Sequence, residues 1–230
     1  MQPKTKNNIA IAIAILFHVC GVVGILFSPY KNWFISNTSL NLLLMFGLLV
    51  FTQPAKNIWF FLFALITFII GFGVEVIGVN TGVLFGSYTY GNVMGVKLWG
   101  VPVLIGVQWF VTVYCCGVIM HYVNNWAAQK IEEQDLGKET TQKIQSLSLI
   151  IDAALLATFF DFVLEPAAQK LGYWKWQDGS VPYFNYTCWF FISGLLLFVL
   201  SKMPFNKLNP FAIHLFIIQV LFFVALRIYL

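Results

Sequence analysis

Long runs of apolar residues dominate this sequence and limit what it can fold into. Of its 230 residues, 60% are hydrophobic and 10% are charged, whereas about a quarter of a soluble domain is charged. Most of the runs are long enough to cross the hydrocarbon core of a bilayer as helices. The sequence therefore predicts an all-α polytopic membrane protein and excludes a water-soluble domain.

Seven spans can be placed on these runs, and we expect them to form a single integral membrane domain over residues 1–230. The break at Pro54 and Lys56 favours two antiparallel helices over one very long helix, because proline interrupts helices. Spans two and six are the shortest. The spans cover about residues 9–27, 40–51, 58–79, 103–123, 147–164, 187–200 and 211–230.

The basic residues are scattered between the apolar runs and form no patch suited to a phosphate backbone. The chain has 13 Lys plus Arg against 9 Asp plus Glu, and we expect no nucleic acid partner. A cytoplasmic N-terminus puts the larger share of these basic residues inside, as the positive-inside rule favours. We therefore expect a multi-pass protein of the cell membrane, with the polar stretch 124–145 as a cytoplasmic linker of mixed charge.

Two connections rich in glycine and aromatic residues lie on the same predicted membrane face, because two spans separate them. One covers residues 80–101 and the other residues 166–186. Each holds an alternating aromatic pair and follows a helix that ends near a Glu. In both cases the pair is followed by a Val-Pro and then by a Trp. We interpret this as a weak parallel repeat, with chance similarity in an aromatic-rich chain as the alternative. The matching residues are Glu75, Tyr88, Tyr90 and Trp109 in the first unit, and Glu165, Trp174, Trp176 and Trp189 in the second.

Three acids approach the layer beneath these two loops. Glu75 and Asp161 lie about one turn from the loop-facing ends of spans three and five, and Glu165 lies at the end of span five. An ionisable residue at membrane depth is costly and is a functional-site hypothesis by default. Small helical neighbours, such as Gly71 and Gly78 beside Glu75, indicate that the acids face protein and not lipid. A structural role as an interhelical hydrogen-bond partner is the alternative for any one acid, but three converging acids favour a site.

Neither a metal nor a cofactor is expected. The four cysteines have no zinc or iron–sulfur spacing, the three histidines are too scattered to hold iron, and the last span has no lysine for retinal. Asp161 and Glu165 form a single DxxxE with too few basic partners to hold magnesium diphosphate. Burial can keep a carboxyl group protonated, and aromatic faces stabilise a cation. Acids and rings together suit carbocation chemistry on an isoprenoid double bond.

A series of motifs between about residues 71 and 190 resembles one known family. These motifs are similar to the carotenoid biosynthesis family of the carotenoid 1,2-hydratase (CruF) and bisanhydrobacterioruberin hydratase type, and they extend over about half of the chain. Glu165 stands where that family more often has Asp, and Cys188 where it more often has Gly. The matching motifs are Glu75-Val76-Ile77-Gly78, Phe85-Gly86-Ser87-Tyr88-Thr89-Tyr90-Gly91, Asp161-Phe162-Val163-Leu164-Glu165-Pro166, Gly172-Tyr173-Trp174-Lys175-Trp176 and Val181-Pro182, followed by Asn185 and Trp189.

The resemblance implies a cofactor-independent hydro-lyase. Such an enzyme adds water across the terminal 1,2 double bond of an acyclic carotenoid end group, as in lycopene or γ-carotene, and leaves a tertiary alcohol. The substrate would lie within the bilayer, and other enzymes of the carotenoid pathway would be partners. The catalytic candidates are Glu75, Asp161 and Glu165, with their acid and base roles interchangeable. The substrate-binding candidates are Tyr88, Tyr90, Gln108, Trp109, Trp174, Trp176, Asn185 and Trp189.

A proton-coupled transporter or a lipid-binding membrane protein is the alternative function. The same buried acids would then relay protons or clamp a lipid head group. Helices broken near mid-membrane would support transport. The glycine and proline interruptions of this chain fall between the predicted spans, which favours the enzyme.

Overall fold

The computed structural model describes residues 2–132 and 138–230, with side chains described over 2–130 and 147–230. The described strands are short and lie in the loops, namely β1 (Tyr88–Tyr90), β2 (Lys97–Leu98), β3 (Val101–Pro102) and β4 (Trp174–Trp176). The helices are α1 (Pro3–Phe27), α2 (Lys31–Ser36), α3 (Thr38–Thr52), α4 (Ile58–Thr81), α5 (Ile105–Glu132), α6 (Lys138–Lys170), α7 (Tyr183–Lys202) and α8 (Pro210–Tyr229).

Six of the described helices are long and apolar enough to cross a membrane, namely α1, α4, α5, α6, α7 and α8. The all-α polytopic prediction is confirmed. The predicted second span is α3, which has 15 residues and is therefore about 22 Å long at 1.5 Å per residue. The hydrocarbon core is about 30 Å thick, so α3 is a shorter apolar helix beside six full-length ones.

Helix α5 lies at the centre of the bundle. It packs against α3, α4, α6, α7 and α8, and its middle residues Val111, Val113, Cys115 and Cys116 are fully buried. A helix that is apolar on every side is stable only when other apolar surface surrounds it. The surrounding helices bury one face on α5 and leave residues such as Phe61, Leu65 and Ile69 exposed for lipid.

Helix α6 runs through Pro166 to Lys170, whereas the sequence predicted an end near Leu164. Proline lacks an N–H and leaves the carbonyl four residues earlier without its helical partner. That carbonyl belongs to Phe162, and it accepts a hydrogen bond from Arg227 of α8 at 3.3 Å. The tertiary bond therefore satisfies the carbonyl that the proline leaves free.

The predicted linker 124–145 is shorter in the structure. Helix α5 continues to Glu132 and α6 begins at Lys138, so much of this polar stretch extends the two helices. Residues 133–137 of the predicted linker lie outside the described residues.

The two aromatic loops lie on the same face, as predicted, and they also pair with each other. Strands β1 and β4 form an antiparallel pair in which Tyr88 faces Trp176 and Tyr90 faces Trp174. The rings of both strands are buried, while the central residue of each strand is exposed. Successive strand residues point to opposite faces, so the pairing aims four aromatic rings into the bundle.

A close backbone contact fixes the relative position of the two loops. The N–H of Gly91 donates to the carbonyl of Tyr173 at 2.8 Å. A Cβ added at Gly91 would lie 1.9 Å from the carbonyl oxygen of Gly172. Only glycine allows the loops to approach this closely, because any larger side chain would overlap the opposite backbone.

Candidate active site

Glu75 is the acceptor for three buried donors. Its Oε2 accepts hydrogen bonds from the hydroxyls of Tyr88 at 2.5 Å and Tyr90 at 2.7 Å. Its Oε1 accepts a hydrogen bond from the indole Nε1 of Trp109 at 2.9 Å. Both oxygens are therefore held by donors, which fixes the position of the carboxyl group.

The two phenols remain donors because they are difficult to ionise. Burial raises the pKa of the Tyr88 hydroxyl above its ordinary value of 10.0, and the neighbouring Glu75 charge raises it further. Burial and Glu75 likewise raise the pKa of Tyr90. Both tyrosines therefore keep their protons and fix the position of the Glu75 carboxylate.

Glu165 is held in the same way by the second loop. Its Oε2 accepts hydrogen bonds from Nε1 of Trp174 at 3.0 Å and Nε1 of Trp176 at 2.9 Å. Its other oxygen accepts none from the described residues. Glu165 thus keeps one oxygen for a further partner, whereas Glu75 does not.

Asp161 lies four residues before Glu165, on the same face of α6. Its Oδ2 accepts a hydrogen bond from Nδ2 of Asn185 at 2.7 Å, and its Oδ1 accepts none from the described residues. Asp161 is 1% exposed and Glu165 is 2% exposed. Two carboxyl groups therefore lie next to each other out of solvent, each with one uncommitted oxygen.

A stacked pair of indoles lies beside the acids. The rings of Trp109 and Trp189 are 3.9 Å apart and tilted by only 5°. Helix α4 makes room for Trp109, since a Cβ at Gly71 would lie 2.4 Å from its ring. The predicted small-residue face of α4 therefore serves close packing against protein, and Gly78 does the same beneath Phe85 and Tyr88.

The two halves of the site repeat the same scaffold. In each half a Glu near a helix end accepts hydrogen bonds from the two alternating aromatics of the following strand. The strands of the two halves pair with each other, and their tryptophans stack. The geometry thus agrees with the parallel repeat interpreted from the sequence.

The repeat is broken at Asp161 and Asn185. The residue four before Glu165 is Asp161, but the residue four before Glu75 is Gly71. Asn185 lies four residues before Trp189, and the matching position before Trp109 is Ile105. The hydrogen-bonded Asp161–Asn185 pair is therefore an addition to the shared scaffold, not a part of it.

All eleven residues singled out from the sequence line one cavity. Its volume is about 30 Å³, enough to hold a water molecule. The sequence reasoning missed three lining residues, Phe85, Ile105 and Leu164. Phe85 lies within a quoted motif and has a positive φ of 65°, while Ile105 and Leu164 are ordinary apolar residues with no distinguishing pattern. The roles of the eleven residues in catalysis stay a prediction.

No basic side chain neutralises the three acids within the described residues. Their hydrogen-bond partners are phenols, indoles and one amide. Burying three unpaired negative charges together is strongly unfavourable. The arrangement therefore favours a cluster that retains at least one proton.

Other ionisable residues lie apart from this cluster. Asp152, which the sequence placed on the opposite face of its helix, accepts a hydrogen bond from Ser148 at 2.6 Å. His18 and His214 each bond a carbonyl of their own helix. No group of three or more His, Cys, Asp or Glu side chains suited to a metal ion occurs in the described part of the chain.

A comparison with known protein families gives a match over most of this chain. The carotenoid biosynthesis protein family matches residues 34–229, which include every residue of the cavity. The chain belongs to the carotenoid biosynthesis protein family. The resemblance stated from the sequence motifs is therefore confirmed, and a carotenoid-modifying function follows at the level of the family.

One curated relative of this carotenoid biosynthesis protein is bisanhydrobacterioruberin hydratase from Haloarcula japonica. The two chains are 28% identical over 141 residues, which cover 59% of this chain and 42% of the relative. This chain thus matches less than half the length of the relative. No solved structure matches it.

Proposed function

We propose that this protein is a carotenoid 1,2-hydratase that adds water to the terminal double bond of an acyclic end group. One observation carries the proposal: two adjacent buried acids, Asp161 and Glu165, each present an uncommitted oxygen to a cavity lined by aromatic rings. The membership of the carotenoid biosynthesis family supports the substrate class, and the hydratase relative supports the reaction type.

Asp161 is the proposed proton donor. It is the acid of the second half that has no counterpart in the first half. Asn185 donates a hydrogen bond to one of its oxygens. The carboxylic acid gives its proton to C2 of the end group, and the π electrons form the new C–H bond. The remaining positive charge is then at the tertiary carbon C1. This step is general acid catalysis.

The aromatic rings stabilise that cation, and Glu75 holds them in place. The Trp109–Trp189 stack lies in the wall of the cavity, and an aromatic face stabilises a desolvated cation by about 2 kcal/mol. Glu75 accepts hydrogen bonds from Tyr88, Tyr90 and Trp109, and so anchors the first aromatic loop and one ring of the stack. Groups that are held in place in this way stabilise charge without reorganisation during the reaction.

Glu165 is the proposed base. The oxygen of a water molecule attacks C1 and forms the C–O bond, and its surplus proton passes to the uncommitted oxygen of Glu165. The proton then returns to Asp161, one helical turn away on α6. The product is a tertiary alcohol, and both acids regain their starting states.

Pigment analysis tests the reaction directly. Carotenoid-producing cells that accumulate lycopene are expected to gain a pigment heavier by one water when they express this protein. In extracts, oxygen-labelled water marks the product, while labelled dioxygen leaves it unlabelled. Unchanged pigments in cells that contain the inserted protein would instead support transport or lipid binding.

The Glu75→Gln variant tests the proposed anchoring role. An amide retains one accepting oxygen but turns an NH₂ group towards a buried donor, which leaves about 1–3 kcal/mol of hydrogen bonding unmade. We expect lower thermal stability in detergent and a partial loss of activity. The Trp109→Phe background removes the donor to Oε1, so there Glu75→Gln should cost less. Strictly additive losses in this double-mutant cycle would contradict the anchoring role.

A further inference from the structure

A larger cavity, which we call the chain cavity, lies between α1, α3 and α8 on the loop side of the bundle. Its volume is about 310 Å³, within the range of about 300–1,000 Å³ for ligand pockets. Buried apolar side chains form its floor, including Ile25, Leu42 and Met45. The cavity is thus suited to hydrocarbon.

The rim of the chain cavity faces lipid. Phe17, Trp33 and Leu40 line it and are 48%, 61% and 63% exposed. In a membrane these apolar side chains contact acyl tails. A ligand dissolved in the bilayer therefore reaches the cavity without crossing water.

The chain cavity adjoins the acid cavity at Gln108, which lines both. The loop after α6 supplies a second link, since Tyr173 lines the chain cavity and its neighbour Trp174 lines the acid cavity. The acid cavity, at about 30 Å³, is too small for a carotenoid chain. A long substrate must therefore place most of its length elsewhere, and the adjoining cavity is the apolar space next to the acids.

An uncommitted buried amide is one of the polar groups that line the chain cavity. Gln219 of α8 lines the cavity and is 7% exposed, and it makes no hydrogen bond to the described residues. A buried amide without a partner is unfavourable. A hydroxyl on a bound chain would satisfy it, and the proposed reaction places a hydroxyl on the chain end.

We infer that the chain cavity binds the acyclic isoprenoid chain of the substrate, with the terminal double bond passing Gln108 to reach Asp161. This inference rests on the proposed function for the identity of the ligand. On this basis the cavity selects long chains, and Gln219 receives the new hydroxyl as the product withdraws.

Two substitutions that fill the cavity test this inference. Leu42→Trp puts a larger side chain in the floor of the cavity, and Cys20→Trp puts one at its exposed rim. The matched control is Leu43→Trp, because Leu43 is 41% exposed and lies outside the cavity lining. The probes are lycopene and geranylacetone, which carries the same terminal double bond on a short chain.

Binding is measured on the full chain in phosphatidylcholine vesicles by the circular dichroism that the protein induces in the lycopene band. We expect an induced signal with the unmodified protein and with Leu43→Trp, and its loss in Leu42→Trp and Cys20→Trp. In hydration assays the two filling variants should raise KM for lycopene about ten-fold, the loss expected when two methylene groups leave an apolar site. Their KM for geranylacetone should not change.

The outcomes separate the two proposals. Full lycopene binding and an unchanged KM in Cys20→Trp would overturn the chain cavity as the binding site. Cys20 is exposed, so this change disturbs no buried packing. A second outcome is that the induced dichroism is lost in Leu42→Trp and Cys20→Trp, while the unmodified protein hydrates neither probe. That outcome would support the chain cavity and overturn the proposed reaction.

Discussion

The Asp161→Asn variant is expected to lose hydration activity by about 10²- to 10⁴-fold, the range for removal of a general acid. Asparagine has nearly the same shape but carries no transferable proton. The other donors and acceptors of the cavity stay in place, with Asn185 as the nearest partner. The measurement is the initial rate of hydroxylated product formation in membranes that contain equal amounts of inserted protein.

The matched control for this variant is Asp152→Asn. Asp152 lies on the same helix, but its carboxylate bonds Ser148 outside the cavity. It should retain nearly full activity. Full activity in both variants would refute Asp161 as the proton donor. An equal loss of activity in both would point to a general effect of charge on α6.

The Gly91→Ala variant is expected to disrupt the pairing of the two loops. Its Cβ would lie 1.9 Å from the carbonyl oxygen of Gly172, and neither backbone can move without breaking the Gly91 to Tyr173 hydrogen bond. We expect a loss of free energy of unfolding above about 4 kcal/mol, the range of severe backbone or core disruption. Activity should fall with it, because β1 and β4 carry the donors to Glu75 and Glu165.

Gly47→Ala is the control for this substitution. Gly47 lies within α3, and an added Cβ meets nothing within 4 Å. Alanine favours helix by about 1 kcal/mol over glycine, so stability should be unchanged or slightly higher. Denaturant unfolding of the detergent-solubilised proteins compares the two. A Gly91→Ala protein as stable as Gly47→Ala would show that the loops can separate without cost.

Local periodicity predicted the depth and direction of the three acids. Counting helical turns from the loop-facing ends put Glu75 and Asp161 beneath the aromatic loops, and the small neighbours of Glu75 indicated a face packed on protein. These features depend only on the regular geometry of a helix. The two loops were placed on one membrane face by counting spans, because two spans separate them.

Long-range contacts could not be predicted in the same way. Nothing local indicates that β1 pairs with β4, or that each Glu binds the aromatics of its own half. The carbonyl that Pro166 leaves free in α6 accepts a hydrogen bond from Arg227, a residue from another helix. The chain cavity is formed largely by apolar residues like those of every other span, so no pattern distinguished Leu42 or Met45 in advance.

The lack of a basic partner near the three acids has a consequence for energetics. In the proposed cycle the cluster lends one hydrogen ion to the alkene and recovers one from the added water, so each turnover leaves its total charge unchanged. Nothing is drawn from either aqueous compartment beyond neutral water. The net turnover of such a catalyst therefore moves no charge across the membrane and places no load on the proton-motive force.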